Sequence, residues 1–349
     1  RFCFFVLCFL FTVQSGIVRR DVDSDGFDDE ADSQEVIFEN GDWIEDDNGN
    51  LVEINDEVDD ETVEETEALI SERVFFHLYT KKNKKTSQEL IIGDVNTLAN
   101  SNWNANKLTR IVIHGWINSH ESEASTSVRD AYLENGDHNV ITIDWSKISK
   151  RSYGYAARRV RVVGTYIGKL IDFLQTQGLD VSKLVVVGHS LGGHIAGISA
   201  LRATKTVGYV VALDPAGPYF WTSSPGNRVD KGDAKNVQVI HTNGGKLGLS
   251  QAIGDIDFYP NGGSSQPGCT LDAAGSCAHS RAYKFFAESI NSNVGFYGQV
   301  CRTWRRWRYG RCSSTTNTFM GGNIPTSVPE SGSYHLRTAS SPSYALGPL

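Results

Sequence analysis

The sequence predicts an α/β fold, a mostly parallel central sheet with helices on both faces, and three observations carry that prediction. Lys183-Leu184-Val185-Val186-Val187 is a continuous apolar run with β-branched residues, as in a strand buried on both faces. Through Gly188-His189-Ser190-Leu191-Gly192 it turns directly into residues 191–203, rich in Ala, Ile and Leu, which read as a helix. Further strand-like and helical segments alternate along the chain, which implies parallel pairing through right-handed crossovers.

Taken in order, residues 74–80 read as a strand ended by the polar Lys81-Lys82-Asn83-Lys84-Lys85, and the apolar Leu90-Ile91-Ile92 follows. Residues 109–116 form a second buried strand ending in the turn His114-Gly115-Trp116, and residues 139–145 a third. The long amphipathic stretch 156–174 supplies a crossover helix before the strand at Val185. Residues 207–213 form another strand, which ends in Asp214-Pro215-Ala216-Gly217-Pro218, and 281–290 are helical. In an open parallel sheet the working groups lie at the carboxyl ends of the strands, where Ser190, Asp214 and the His114-Gly115-Trp116 turn all fall.

A chain of 349 residues with 40% hydrophobic residues builds one large or two medium domains. Its start is different. Behind Arg1, residues 2–13 are an apolar run followed by the small Ser15 and Gly16, the pattern of a secretory signal segment too short for a permanent membrane span. Residues 1–15 are therefore assigned as a signal peptide and the protein as secreted. Cys3 and Cys8 would leave with it, and Cys269, Cys277, Cys301 and Cys312 remain. Four cysteines allow three connectivities, and pairing neighbours (Cys269 with Cys277, Cys301 with Cys312) closes two short loops. Neither pair has the tight C-x-x-C spacing of a zinc site, and no pair of histidines completes one, so disulfides are preferred.

The formal net charge of −8 hides an asymmetry. Residues 21–72 hold 23 acidic residues and no Lys or Arg, whereas the chain from Arg73 onward carries a net +12. Residues 16–70 read as an acidic, disordered leader or pro-segment that would lower the attraction of the basic remainder to anionic surfaces until removed, and residues 71–349 as the folded domain. Asp21, Asp23, Asp25, Gly26, Asp29 and Asp32 have spacings suggestive of a calcium loop, but the Glu at its twelfth position and the flanking helices are missing.

Strand, sharp turn, helix around G-x-S-x-G is the context of a nucleophile elbow, with Ser190 held in a strained turn. A serine at neutral pH needs a base, and the base needs a group to orient it. Asp214 at a strand end before a proline-fixed turn suits the second role; a plain turn aspartate is the bland alternative. His279, ahead of the helical run, completes the chain order Ser, Asp, His. His189 and His194 beside the elbow are expected to pack or support it, and His241 to be as easily structural.

These residues resemble the animal pancreatic-lipase family of secreted α/β-hydrolases. His114-Gly115-Trp116, Gly188 to His194, Leu213 to Pro218, Val239-Ile240-His241-Thr242, Asp257 to Gly263 and His279-Ser280-Arg281-Ala282-Tyr283 match its signatures in order, over residues 74–347. The resemblance implies Ser190 as nucleophile, His279 as general base and then acid, and Asp214 as the group that orients His279. It also implies an oxyanion hole from the backbone N–H groups of Trp116 and Leu191. The reaction expected is hydrolysis of carboxylic esters of lipids at a membrane or micelle interface, without a cofactor.

Departures from the family pattern bear on substrate. Cys269 and Cys277 enclose seven residues, too few for the helical lid of the digestive lipases, and the loop 242–257 is also short. Both features resemble the insect phospholipase A1 branch, so sn-1 hydrolysis of phospholipids is the first expectation and a triacylglycerol lipase or galactolipase the second. A non-catalytic lipid carrier, like the yolk proteins of this family, is the expectation of another class, disfavoured because Ser190, Asp214 and His279 are all present. No C-terminal β-sandwich, no helper protein, no nucleic acid and a monomer are expected. The family's calcium loop maps weakly onto Arg228, Asp230 and Asp233, with Pro225 where a Glu is expected, so no metal is assigned. Arg302, Arg305, Arg306, Arg308 and Arg311 around Trp304 and Trp307 would favour anionic interfaces.

Overall fold

The structure is a computed structural model that describes residues 43–45, 50–55, 61–270, 272–325 and 330–348. The signal segment and the aspartates from Asp21 to Asp32 lie outside the described residues. Two short strands come first, β1 (Trp43–Glu45) and β2 (Leu51–Glu53). They are followed by α1 (Val63–Ala68), β3 (Phe75–Tyr79), β4 (Gln88–Leu90), α2 (Val95–Ala99), β5 (Thr109–Ile113), α3 (Glu123–Asn135) and β6 (Asn139–Asp144). Next are α4 (Ser146–Ser149), α5 (Tyr153–Thr176), β7 (Val185–His189), α6 (Leu191–Arg202), β8 (Tyr209–Leu213) and β9 (Asn236–Ile240). The last are β10 (Ile256–Pro260), α7 (Ser276–Asn291), β11 (Phe296–Val300), α8 (Trp304–Arg308), β12 (Asn317–Met320) and β13 (Gly332–Leu336).

Eleven strands form one sheet in the order β12-β11-β13-β10-β9-β8-β7-β5-β6-β3-β4. The run from β13 to β6 is parallel throughout, and the antiparallel β3–β4 and β11–β12 extend it at its two edges. The central strands are the apolar runs of the sequence: every residue of β5 and β7 is buried. Alternation along each strand then divides the core in two. Ile111, Val186 and Val210 pack with α5 and α6 on one face. Val112, Val187 and Val211 pack with α3 and α7 on the other. The result is the α/β-hydrolase architecture expected, with β5, β7 and β8 carrying their loops to one end of the sheet. Among the described residues no helix is long and apolar enough to cross a membrane.

The boundary expected at residue 71 is corrected, because secondary structure is present within the 16–70 segment. β1 and β2 pair antiparallel, Trp43 with Glu53 and Ile44 with Val52. Ile44, Val52 and Ile54 pack against the core, and the Gly154 N–H donates to Asn55 O at 3.2 Å. Helix α1 opens on a capping box in which the Glu65 N–H donates to Thr62 Oγ1 and the Thr62 N–H to Glu65 Oε2. The buried Arg159 of α5 donates to Thr66 Oγ1 and to Glu61 O, and the Glu61 carboxylate meets Arg73 at 2.7 Å and Arg151 at 3.6 Å. Burial pushes the Glu61 carboxyl up, but hydrogen bonds from Thr66 and Arg73 outweigh it and hold the group below its usual range. The acidic density of this stretch conceals short pieces with one apolar side, and those pieces fold onto the domain.

Both disulfides form as neighbours, Cys269 with Cys277 and Cys301 with Cys312. The second brackets α8 in a loop whose ends are 11 residues apart. Replacing both Cys301 and Cys312 by Ser is expected to cost about 3 kcal/mol from the released loop entropy, read as a lower unfolding midpoint in urea at unchanged slope. An unchanged midpoint would mean that α8 holds this loop without the crosslink.

Candidate active site

The turn between β7 and α6 is built by close approach of backbones. A Cβ on Gly188 would stand 1.9 Å from Gly192 O, and one on Gly192 would stand 2.5 Å from both Ile113 O and His114 O. No side chain fits at either place, so both flanking glycines of G-x-S-x-G are required by packing. Between them Ser190 has φ 57° and ψ −125°, a conformation that costs a non-glycine residue on the order of 1–3 kcal/mol and persists where surroundings over-determine it. Helix α6 begins at Leu191, whose N–H, in the first turn, has no intrahelical acceptor. On the other side the 114–116 turn lies against the serine: a Cβ on Gly115 would be 2.9 Å from Ser190 Cβ. Trp116 is pinned there by its indole N–H to Arg151 O at 2.8 Å and by the edge of Tyr153.

Asp214 follows β8, is fully buried and has φ 42°. Its Oδ1 accepts the N–H groups of Thr242 and Asn243 at 2.8 and 2.9 Å, and its Oδ2 accepts His279 Nδ1 at 2.5 Å. One oxygen is therefore held by the loop after β9 while the other fixes the imidazole. His279 lies in the first turn of α7 rather than ahead of the helix as the sequence suggested, with its N–H on Gly275 O at 2.9 Å. Between the two cysteines, Asp272 accepts the N–H groups of Cys277 and Ala278 in the first turn of α7. His279 Nε2 is buried and makes no hydrogen bond, which leaves it available to take a proton from a hydroxyl.

The structure places Ser190 and Asp214 just past the neighbouring strands β7 and β8, joins Asp214 to His279 of α7, and gives the other histidines supporting places. His189 Nε2–H donates to His279 O (3.2 Å), and the His189 ring packs against the His279 and Tyr283 rings. Burial, with His279 beside it, holds His189 well below the usual imidazole range, so it is neutral. His194 bridges Ala216 O and the Val229 N–H, stacks on Phe220, and is lowered to about 3 by burial. His241 bonds Leu249 O and the buried Asp257, and stacks on Tyr259. Sequence reading missed the Thr242 and Asn243 amides that hold Asp214, since a backbone donor leaves no mark in residue type.

Two groups among the described residues bring potential metal-ligand atoms within 4.8 Å of one another. Cys269 and Cys277, near Asp272, are spent in their disulfide. His77, His120 and Asp144 form the other, but the two imidazoles stack face to face at 3.9 Å and 13°, so their nitrogen lone pairs lie in parallel planes and do not converge on one ion. His120 Nδ1 is already bonded to Asp144 at 2.9 Å. At the weakly matched calcium positions, Asp230 is paired with Arg228 at 3.3 Å, and Asp233 accepts the Asp230 N–H.

A strained serine at a β-strand-to-helix turn, with a buried aspartate after the adjacent parallel strand holding a histidine of helix α7, defines the α/β-hydrolase class of site. The sequence profile described as Lipase matches residues 45–344, and the chain belongs to that family. It is 35% identical over 260 residues to pancreatic triacylglycerol lipase of Mus musculus and 35% identical over 261 residues to that of Homo sapiens. Each alignment covers 68% of this chain and 56% of the relative, so the chain spans little more than half the length of these relatives. A solved phospholipase/carboxylesterase from Dyadobacter fermentans overlaps 40% of this chain and 68% of its own at 14% identity and a TM-score of 0.31, a likeness too low to weigh.

Proposed function

We propose that the chain hydrolyses carboxylic esters of lipids, with Ser190 as nucleophile, His279 as base and Asp214 as the group that orients it. The observation that carries this reading is the Asp214–His279 hydrogen bond beside a serine at φ 57° on the elbow. Ser190 Oγ adds to the ester carbonyl carbon as His279 Nε2 takes its proton. The imidazolium that forms is stabilised through Nδ1–H by Asp214. The carbonyl oxygen, now an anion, accepts the N–H groups of Leu191 and Trp116. His279 Nε2 returns the proton to the departing alcohol oxygen, leaving an acyl-serine. Water then repeats the sequence, its proton passing to His279 and back to Ser190 Oγ, and the fatty acid leaves.

Within that class the reading is phospholipase A1 action, as in the insect branch. It rests on the seven residues between Cys269 and Cys277, too few for a helical flap, of which Asp272 accepts amides from the first turn of α7. The pancreatic triacylglycerol lipases at 35% identity favour triacylglycerol as the second reading. Two disulfides fit an oxidising, extracellular setting. The test follows fatty-acid release by the full chain from phosphatidylcholine vesicles, labelled separately at sn-1 and sn-2, and from a triacylglycerol emulsion. Release from sn-1 with at least tenfold less from the emulsion is expected; release chiefly from the emulsion makes triacylglycerol the substrate.

A further inference from the structure

The loop closed by Cys301 and Cys312 holds five arginines, Arg302, Arg305, Arg306, Arg308 and Arg311, and all but Arg306 are exposed. Residues 289–329 contain no Asp or Glu, so no acidic neighbour in sequence offsets this charge. The loop has a fixed shape. The Arg306 N–H donates to Thr303 Oγ1 at 3.2 Å to open α8, and Trp304 stacks on the buried Trp307 at 4.9 Å and 15°. The guanidinium of Arg337, exposed and just past β13, lies 5.6 Å from the Trp307 ring and adds a sixth cation. Cations ordered in this way lose less freedom when a partner arrives. Tyr309 among them is 67% exposed, and a tyrosine suits the headgroup level of a membrane.

The place of this loop in the fold points to its partner. Strands β7, β8, β9, β10 and β13 are parallel, so the residues that follow them share one edge of the sheet. Ser190 follows β7, Asp214 follows β8, and Gly262 and Gly263 lie just beyond β10. Trp304 rests on that edge: a Cβ on Gly262 would stand 3.0 Å from its ring. Gly263 O accepts the Gly244 N–H at 2.8 Å, next to the Asn243 amide that holds Asp214. The basic loop is therefore one loop removed from the Asp214–His279 pair. We propose that the Cys301–Cys312 loop is a docking surface for anionic lipid membranes, which seats the edge carrying Ser190 on the lipid. This inference rests on the lipid-esterase reading above for the choice of a lipid surface as partner. A second basic run, Lys81 to Lys85, follows β3, which is antiparallel to β6, and so lies at the opposite end of the sheet. Charge there would not bring Ser190 to a membrane.

The test measures binding of the full chain to vesicles of ether-linked phosphatidylcholine, alone or mixed with an equal amount of ether-linked phosphatidylglycerol. Neither lipid has an acyl ester, so docking is read without reaction. Wild type is expected to prefer the anionic vesicles, and added salt to weaken that preference. Arg305→Gln with Arg308→Gln should weaken anionic binding roughly thirtyfold, and Arg337→Gln alone about fivefold. Lys81→Gln with Lys82→Gln removes the same charge as the first pair and should change binding less than twofold, roughly. Equal loss in the two double variants would show that net charge alone acts, and would overturn the proposal. Equal wild-type affinity for both kinds of vesicle would overturn it too, as would anionic binding that all the α8 and Arg337 variants retain. Hydrolysis of a soluble short-chain ester and the urea midpoint should be unchanged in every variant, which shows that the fold and site are intact. Absence of that hydrolysis in wild type would sink the esterase reading and leave the vesicle result to judge the docking surface separately.

Discussion

Ser190→Ala is expected to lower the rate of ester hydrolysis by about 10⁶-fold while leaving the fold intact. The magnitude follows from the loss of the acyl-serine route: neither His279 nor Asp214 has anything to activate without the hydroxyl, so their contributions vanish with it. Binding and the Leu191 and Trp116 amides would remain, which is why a residual acceleration of about 10³-fold over water is expected. The fold should survive because alanine retains a Cβ at φ 57° and meets the same contacts as serine. The strain of the turn is thus unchanged, and thermal midpoints should agree closely. Hydrolysis of a soluble short-chain ester, with the midpoint measured on the same sample, checks both halves. Activity above about 1% of wild type would place the nucleophile elsewhere.

The parts legible in the sequence were those whose cause is local. Val185-Val186-Val187 must be a strand buried on both sides, and the glycines at 188 and 192 leave no room for any side chain, so the elbow could be placed from the eight residues 185–192. Asp214 and His279 could be placed by chain order, since each falls at the end of a strand or the start of a helix that apolar periodicity marks. What depends on distant partners was not legible. Residues 43–55 look like part of an acidic leader until Ile44, Val52 and Ile54 find the core, a contact decided by residues far along the chain, among them Trp116, His189 and His279 beside Ile44. The start of α7 was misjudged because its cap is Asp272 from inside the cystine loop, and the antiparallel edge strands β11 and β12 have too few residues to show a period.

Asp214→Asn is expected to cost about 10⁴-fold in rate with a far smaller effect on stability, and the hydrogen bonds around the carboxylate give the reason. Oδ1 accepts two backbone N–H groups, from Thr242 and Asn243, so an asparagine must keep its carbonyl oxygen there. The reverse orientation would set an amide NH₂ against two buried donors. The amide nitrogen then faces His279 Nδ1, where it can only donate. His279 must accept at Nδ1 and carry its proton at Nε2, the tautomer that cannot take a proton from Ser190. Asp214→Ala makes the contrast. It would lose the orienting group and also strand both amides without a partner, at about 1–3 kcal/mol for each. Asn should therefore keep the unfolding midpoint near wild type and lose the rate, whereas Ala should lose both. Comparing kcat and urea midpoints for the two variants separates orientation of the base from support of the loop after β9. Near-normal kcat in Asp214→Asn would show that His279 takes its tautomer from some other neighbour, and the Asp–His pair would then be a structural tie like His241 with Asp257.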